Sequence, residues 1–350
     1  MRFYTKSHKY YCGIDLHTKM MYVCILNSQG KVLVHKNIPT DGAKFLKLIA
    51  PYREDMVVGV ECIFSWYWLA DLCANEGIEF ILGHALYMRA IHGGKTKNDK
   101  LDSEKIARLM KGGNFPLAHV YPKDQRAVRD LLRRRMYLVR VRGECQAHIQ
   151  LTNYQYNLPS FEKKLERKNN RTDVAERFTD ADVRKNVEVD LGVMDYFEEQ
   201  VKQLESYIIR HAKKFDPRTY HRLQSVPGIG AILALVIMYE VQDINRFPTV
   251  QSFCSYGRLV KCPKESAGKR LGFGGAKIGN AHLKWAFSEA TILFMRESDK
   301  AKRFVEKYAR IHGKGKAIAI LTHKLGRAVY YVWKRKDAFD EGYFFADMKL

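Results

Sequence analysis

Four acidic residues stand where carboxylates could hold metal ions. Asp15 closes the apolar run Tyr10-Tyr11-Cys12-Gly13-Ile14, and Glu61 closes Met56-Val57-Val58-Gly59-Val60. Asp99 and Asp102 lie three residues apart at the mouth of a helical stretch, so they share a face. An acid at the end of a buried strand is costly to desolvate without a compensating partner. Such a set suits phosphodiester chemistry with two metal ions about 3.5–4 Å apart, which clamp the attacking and leaving oxygens. Magnesium fits because it takes carboxylate and phosphate oxygens and keeps part of its water shell. The plainer alternative makes Asp15 and Glu61 caps of neighbouring helices and Asp102 an ordinary helix start.

Two further motifs lie late in the chain. Leu223-Gln224-Ser225-Val226-Pro227-Gly228-Ile229-Gly230 precedes an apolar helical run, the pattern of a helix–hairpin–helix. Backbone N–H groups at Gly228 and Gly230 could meet a phosphate without reading sequence, or the glycines could serve only a packing turn. Ser266 sits in the basic loop Lys261-Cys262-Pro263-Lys264-Glu265-Ser266-Ala267-Gly268-Lys269-Arg270. A serine nucleophile needs exposure and nearby positive charge, which Lys264, Lys269 and Arg270 could supply. On residue type alone, a loop serine is ordinarily just solvated.

Arg126, Arg129, Arg133, Arg134, Arg135, Arg140 and Arg142 stud one long helix predicted over 124–157, read as arginines without matching acids. The pattern predicts a phosphate-binding surface rather than a merely solvated face. Tyr137, Tyr154 and Tyr156 could stack on bases, although packing is their default role.

These residues need a scaffold, and composition bounds it. The 350 residues carry 60 Lys plus Arg against 38 Asp plus Glu, a net charge of +22. That excess implies a polyanionic partner, most simply nucleic acid. The longest apolar stretch, 228–239, falls short of the ~20 residues that span a bilayer, so no membrane association is expected. The opening Met1-Arg2-Phe3-Tyr4-Thr5-Lys6 lacks the apolar core of a signal peptide. Seven scattered cysteines, never in a C-x-x-C pair, argue against zinc and a disulfide framework. A reducing, cytoplasmic setting follows as the expectation.

Residues 9–122 read as α/β. Strands are predicted over 10–15, 21–27, 31–37, 56–61 and 79–82, and helices over 41–50, 65–76 and 102–111. Three early strands followed by strand–helix alternation suit a ribonuclease-H-like domain over 1–123. The spacing predicts long helices over 124–157 and 183–214, a coiled-coil pair formed within one chain or between protomers. The charged segment 163–177 between them reads as a turn or mobile crossover. A mainly helical domain fills 216–350, with its clearest helices over 281–296 and 317–334.

Several motifs occur here in one order. They are Gly13-Ile14-Asp15-Leu16-His17-Thr18, Val60-Glu61, Lys97-Asn98-Asp99-Lys100-Leu101-Asp102, Val226-Pro227-Gly228-Ile229-Gly230, Glu265-Ser266-Ala267-Gly268-Lys269 and Gly279-Asn280-Ala281-His282-Leu283-Lys284. In this combination the chain resembles the DEDD-type insertion-sequence transposases, bridge-RNA-guided recombinases related to Piv-like DNA invertases. The resemblance implies a resolvase-like ribonuclease-H domain with Asp15, Glu61, Asp99 and Asp102 as its DEDD set and Mg2+ as its ion. It implies a C-terminal transposase domain with Ser266 as the matching nucleophile. Family members often carry a serine immediately before the glycine, where this chain has Ala267. It further implies a noncoding bridge RNA as guide, donor and target double-stranded DNA as substrates, and a homo-oligomer, a dimer or a tetramer on DNA. Two rival readings remain open at this point: a hydrolytic, structure-specific junction endonuclease in which Ser266 has no catalytic part, and a non-catalytic nucleic-acid-binding protein.

Overall fold

The structure, a computed structural model, describes residues 2–91, 98–212, 216–275 and 277–346, and all but the side chains of Ala90 and Arg270 among them. The chain divides into two compact units, Met1–Asp124 and Gln125–Leu350, so the long helices fall almost wholly within the second.

Unit 1 contains β1 (Phe3–Tyr4), β2 (Tyr10–Leu16), β3 (Met20–Asn27), β4 (Val32–Pro39), α1 (Gly42–Ile49), β5 (Met56–Glu61), α2 (Tyr67–Asn75), β6 (Glu79–Gly83), α3 (Ala85–Ile91), α4 (Asp99–Lys111) and β7 (Phe115–Ala118). One seven-stranded sheet runs β1-β7-β6-β5-β2-β3-β4. The meander β2–β3–β4 is antiparallel, β2–β5 and β5–β6 are parallel, and β7 is antiparallel to both β6 and β1.

The sheet is covered on both faces. Cys12, Ile14 and Leu16 of β2 share a buried cluster with Phe45 and Ile49 of α1 and Leu69 and Cys73 of α2. Tyr11 of the same strand lies in a second cluster with Ile106, Ala107 and Met110 of α4. Strand alternation produces this division, and it puts Asp15 on the α4 face. The predicted strands and helices of this unit are present with shifted ends. The outer strands β1 and β7 and the helix α3 were not legible, being short and without a period.

Unit 2 begins with two long helices, α5 (Lys123–Gln155) and α6 (Ala181–Ala212). They run antiparallel within one chain: Arg135 on α5 bonds Glu205 on α6 at 2.7 Å, and Ile149 near the far end of α5 packs with Val187 near the start of α6. Val187, Met194, Val201 and Ile208 are all buried at seven-residue spacing, which keeps one apolar seam facing the partner helix. The crossover between the helices is packed rather than loose, contrary to the expectation. Arg171 is buried there, donates to the Leu165 and Glu166 carbonyl oxygens at 2.8 and 3.0 Å, and pairs with Glu198 at 2.8 Å.

The rest of unit 2 comprises α7 (Pro217–Gln224), α8 (Ala231–Val241), α9 (Val250–Tyr256), a hairpin of β8 (Cys262–Ser266) and β9 (Lys269–Gly274), α10 (Ala281–Glu297), α11 (Asp299–His312), α12 (Lys314–Arg335) and α13 (Glu341–Phe344). Every residue of α8 from Leu233 to Val241 is buried, and α10 and α12 pack round it in one core. A helix apolar on all sides belongs at the centre of its domain. Among the described residues no helix is long and apolar enough to cross a membrane. All seven cysteines are free thiols; Cys12, Cys24, Cys73 and Cys254 are core residues, whereas Cys62 and Cys262 are exposed.

Candidate active site

Asp15 and Asp99 come together at one end of the sheet of unit 1, with Glu61 at the neighbouring strand end and Asp102 in the same helical turn as Asp99. Ile14 and Val60 are registered neighbours on the parallel strands β2 and β5, and Asp15 and Glu61 are each the next residue on. In-register neighbours point to the same face, so these two carboxylates issue side by side. The helix α4 brings the other two. Asn98 caps its start, its side-chain oxygen accepting from the Leu101 amide at 3.2 Å, and Asp99 and Asp102 fall in the first turn. The helix thus starts at Asp99, three residues ahead of the predicted start, and Asp102 is not its cap. The Asp102 carboxylate accepts from Lys105 Nζ at 3.0 Å instead.

Small residues and one histidine hold α4 in place. Gly13 lies directly beneath it, where a methyl group would meet the Ser103 carbonyl oxygen at 2.3 Å. On β4, His35 Nε2 donates to the Lys100 carbonyl oxygen at 2.8 Å, fastening the first turn to the sheet edge.

His17 lies within one of the sequence motifs, but the sequence alone assigns it no role. Single ligand atoms of Asp15, His17 and Asp99 all lie within 4.8 Å of one another. His17 Nε2 is 3.3 Å from Asp15 Oδ2 and 3.7 Å from Asp99 Oδ1. Its spacing of two from Asp15 is the strand period, the signal that could have found it. Burial raises the Asp15 carboxyl above its ordinary range; His17 opposes the shift, and the charges of Asp99 and Asp102 add to it. A divalent cation would offset both the burial and the mutual repulsion. The carboxylate oxygens fit Mg2+, and the imidazole adds a donor that Mn2+ also accepts. Three residues beyond Glu61, Phe64 is 83% exposed in the loop that follows β5. Such a ring is available to stack on a nucleobase.

Ser266 ends β8 in unit 2 and pairs across the hairpin with Lys269. The two residues between them, Ala267 and Gly268, have φ of 49° and 73°. Positive φ at both central positions makes this a tight type I′ turn, which suits the twist of a hairpin. All of β8 is exposed, Lys264 and Ser266 included. The side chain of Arg270 and all of Lys97 lie outside the described residues.

The arginine helix divides into two sets. Arg129 Nε donates to Glu240 Oε2 at 3.1 Å, and Arg133 donates to both Glu240 oxygens at 2.6 and 2.9 Å. Asn280 Nδ2 adds a fourth hydrogen bond at 2.8 Å. Glu240 sits on the buried α8, and Arg126 and Arg129 are themselves buried. Burial alone would raise the Glu240 carboxyl, but Arg133, Arg129 and Asn280 hold it at about 2. The matching acids are therefore present: Glu240 for Arg129 and Arg133 and Glu205 for Arg135 on other helices, and the exposed Glu144 of α5 itself, 3.4 Å from Arg140. This corrects the phosphate-binding expectation for Arg129 and Arg133. Arg134 and Arg140 remain exposed and flank the exposed ring of Tyr137 at 5.3 and 5.4 Å.

The hairpin 226–230 divides too. Gly228 has φ of +81° and packs against α10, where a methyl group would meet the Ala290 carbonyl oxygen at 2.3 Å. Its amide already donates to Glu297 Oε2 at 3.0 Å. Gly230 caps α8 with open space beside its α-carbon.

Residues 12–154 match the DEDD-type IS110 transposase domain, and residues 220–306 match the IS116/IS110/IS902 transposase family. The chain belongs to the IS110/IS116 family of transposases. It is 21% identical to the transposase for insertion sequence element IS1111A of Coxiella burnetii, over 93% of this chain and 90% of that one. It is 22% identical to the transposase for IS1328 of Yersinia enterocolitica, over 94% and 98% of the two chains. A shorter stretch, 37% of this chain, is 27% identical to the transposase for IS1533 of Leptospira borgpetersenii. As an insertion-sequence transposase the chain acts on DNA, cleaving and transferring strands. One family match contains the acidic quartet and the other contains Ser266, so the two groups fall in separately matched domains.

Proposed function

We propose that this transposase is an RNA-guided, Mg2+-dependent serine recombinase that cuts and rejoins donor and target DNA through a phosphoserine link. One observation carries the reading. Ser266 is held exposed at a tight turn beside Lys269, in a chain whose other unit brings Asp15 and Asp99 together, with Glu61 on the neighbouring strand end and Asp102 in the same helical turn. The strand order β4-β3-β2-β5-β6, a meander followed by parallel strands, supports a ribonuclease-H-like reading of unit 1. The heptad seam of α6 supports a coiled coil, and the turn 226–230 between α7 and α8 supports a helix–hairpin–helix.

The quartet, with His17, would hold the ions. A divalent cation held by them would polarise the scissile phosphate and screen its charge. The Ser266 oxygen attacks the phosphorus. An Oγ–P ester forms, one P–O bond of the strand breaks, and the displaced end leaves as a hydroxyl after taking up a proton. The serine proton passes to a neighbouring base. Rejoining reverses these changes, with a hydroxyl end of another strand attacking and serine regaining its proton. The ester conserves the bond energy, so exchange needs no other energy source. Lys264 and Lys269 flank the serine, where they can screen the phosphate charge.

A noncoding bridge RNA pairing with donor and target would leave the protein to read backbone and shape. The net charge of +22 and the exposed trio Arg134, Tyr137 and Arg140 suit that task. A tetramer on two duplexes would bring each Ser266 to an acidic quartet. The test is denaturing electrophoresis of labelled DNA with RNA and Mg2+, followed by peptide mapping. A covalent adduct at Ser266, lost in Ser266→Ala and on chelation, is the expected result. Cleavage by Ser266→Ala with no adduct would establish a hydrolytic nuclease instead.

A further inference from the structure

A cavity of about 270 Å³ opens at the far end of the helix pair, where the last turns of α5 meet the crossover. It is slightly smaller than the roughly 300–1,000 Å³ typical of small-ligand sites, a size for one flat ring rather than a larger ligand. Asn153 lines it and is 1% exposed. Both N–H bonds of its amide are used, on the Leu158 and Pro159 carbonyl oxygens at 3.0 Å each. That pattern fixes the orientation of the amide, and it leaves Oδ1 buried without a hydrogen-bond partner. A buried acceptor left unmatched costs free energy until a donor reaches it.

The walls suit a flat, neutral, hydrogen-bonding guest. Tyr154 and Phe161 provide aromatic faces, and Gln150 provides an amide that can donate or accept. Phe161 is backed by Arg177, whose guanidinium carbon lies 4.3 Å from the ring centre. Tyr154 is 63% exposed, so its ring is open to a guest. Lys163 and Lys164 stand at the rim with Glu162 and Glu166. Carboxylates among the lysines argue against a free anion as the guest. They do not oppose an uncharged ring whose attached phosphate reaches the lysines.

We propose that this cavity receives one unpaired nucleobase of a single-stranded nucleic acid. The base stacks on Tyr154, an exocyclic amino group satisfies Asn153 Oδ1 after a small adjustment of the floor, and the adjoining phosphate meets Lys163 and Lys164. Aromatic stacking tolerates every base, whereas an acceptor floor favours bases that carry an amino group. The proposal rests on the reading of the chain as a nucleic-acid enzyme but is independent of the quartet and of Ser266.

The experiment measures binding, not strand transfer, so the two readings fail separately. Full-length protein carrying Asp15→Asn is titrated with short fluorescein-labelled single strands, RNA in one arm and DNA in the other. Tyr154→Ala should weaken binding about 5- to 150-fold, the range for loss of one base–aromatic stack. Lys163→Gln with Lys164→Gln should lower the salt dependence of binding. Poly-uridine should bind less tightly than poly-adenosine in the parent, and the difference should shrink in Asn153→Ala, which removes the acceptor. Tyr154 is largely exposed, so its truncation should leave the unfolding temperature unchanged, which a thermal melt checks. Crosslinking of a 4-thiouridine strand should map to Tyr154 or Phe161. Unchanged affinity for both RNA and DNA in Tyr154→Ala, with crosslinks elsewhere, would overturn the proposal.

Discussion

Gly13 on β2 and Ala107 on α4 meet backbone to backbone: a methyl group on Gly13 would lie 2.4 Å from the Ala107 amide nitrogen. Gly59, registered beside Gly13 on β5, lies the same way against Met110, whose sulfur would be 2.4 Å from an added methyl. Each glycine precedes an acid of the quartet by two residues, Asp15 and Glu61 respectively. The glycines therefore let α4 settle low on the sheet, which brings Asp99 next to Asp15.

Gly13→Ala tests that relationship. The clash is with helix backbone, which cannot move aside as a flexible side chain would. The helix must lift, at a cost of about 1–3 kcal/mol, and carry Asp99 and Asp102 with it. A lower melting temperature is expected together with loss of strand cleavage at saturating Mg2+. Gly30→Ala is a useful control, because there an added methyl meets only the flexible Lys111 side chain at 3.1 Å, although the φ of +86° adds local strain. Comparable cleavage by the parent and Gly13→Ala would show that the quartet tolerates a raised helix.

Glu240 supplies the pH dependence of unit 2. Its carboxyl is held at about 2, against an ordinary value of 4.5. A depressed acid stabilises the fold above its unfolded value and loses that contribution as pH falls through its folded value. Stability of unit 2 should thus drop between about pH 4.5 and pH 2, by on the order of 3 kcal/mol from this group. Glu240→Gln should be destabilised at neutral pH, since Arg129 and Arg133 lose their counter-charge, and its melting temperature should vary less over that acidic window. An unaltered acid profile in the variant would remove Glu240 as the cause.

How much of this was legible in the sequence depends on the range of the interaction. Apolar runs ending in an acid announced Asp15 and Glu61 because strand period and burial are local properties. The start of α4 was misplaced because Asn98 caps it, and Asp102 resembled a start only while its neighbour Asp99 was read apart from the helix. Arg129 and Arg133 were misread because their acid lies over 100 positions away on an apolar helix. Charge counted along one helix cannot see such a partner. The serine hairpin left little trace, since β8 and β9 bury nothing and alternation has no core to follow.

Arg134 and Arg140 should behave unlike the buried pair. Charge reversal at both should weaken nucleic-acid binding and reduce the salt slope by about 0.7–0.9 for each phosphate left without its arginine. Reversal at Arg129 or Arg133 should instead lower the melting temperature, because it sets two carboxylates against each other in the core. Salt titrations and thermal melts on the four single variants separate the two behaviours. Equal salt slopes in the parent and the Arg134 and Arg140 variants would make that face merely solvated.

Ala267 is the place where the serine hairpin departs from easy turn chemistry. A type I′ turn favours Asn-Gly at its centre, and an alanine at φ of 49° costs roughly 1–2 kcal/mol relative to a helical or extended conformation. The strand pair around Ser266 is exposed on its whole β8 side, so little packing offsets that cost. If the turn positions the serine hydroxyl, its occupancy limits how often Ser266 is presented. Ala267→Asn should then increase protection of the Lys269 amide from hydrogen exchange and raise the yield of covalent adduct. Ala267→Val, whose branched side chain resists positive φ, should lower both, with the adduct falling about tenfold or more. Neither substitution should move the melting temperature of the core, because the turn touches none of it. Adduct yields that ignore these substitutions while exchange protection follows them would separate turn geometry from nucleophile presentation, and would mean that Ser266 is ordered only on DNA.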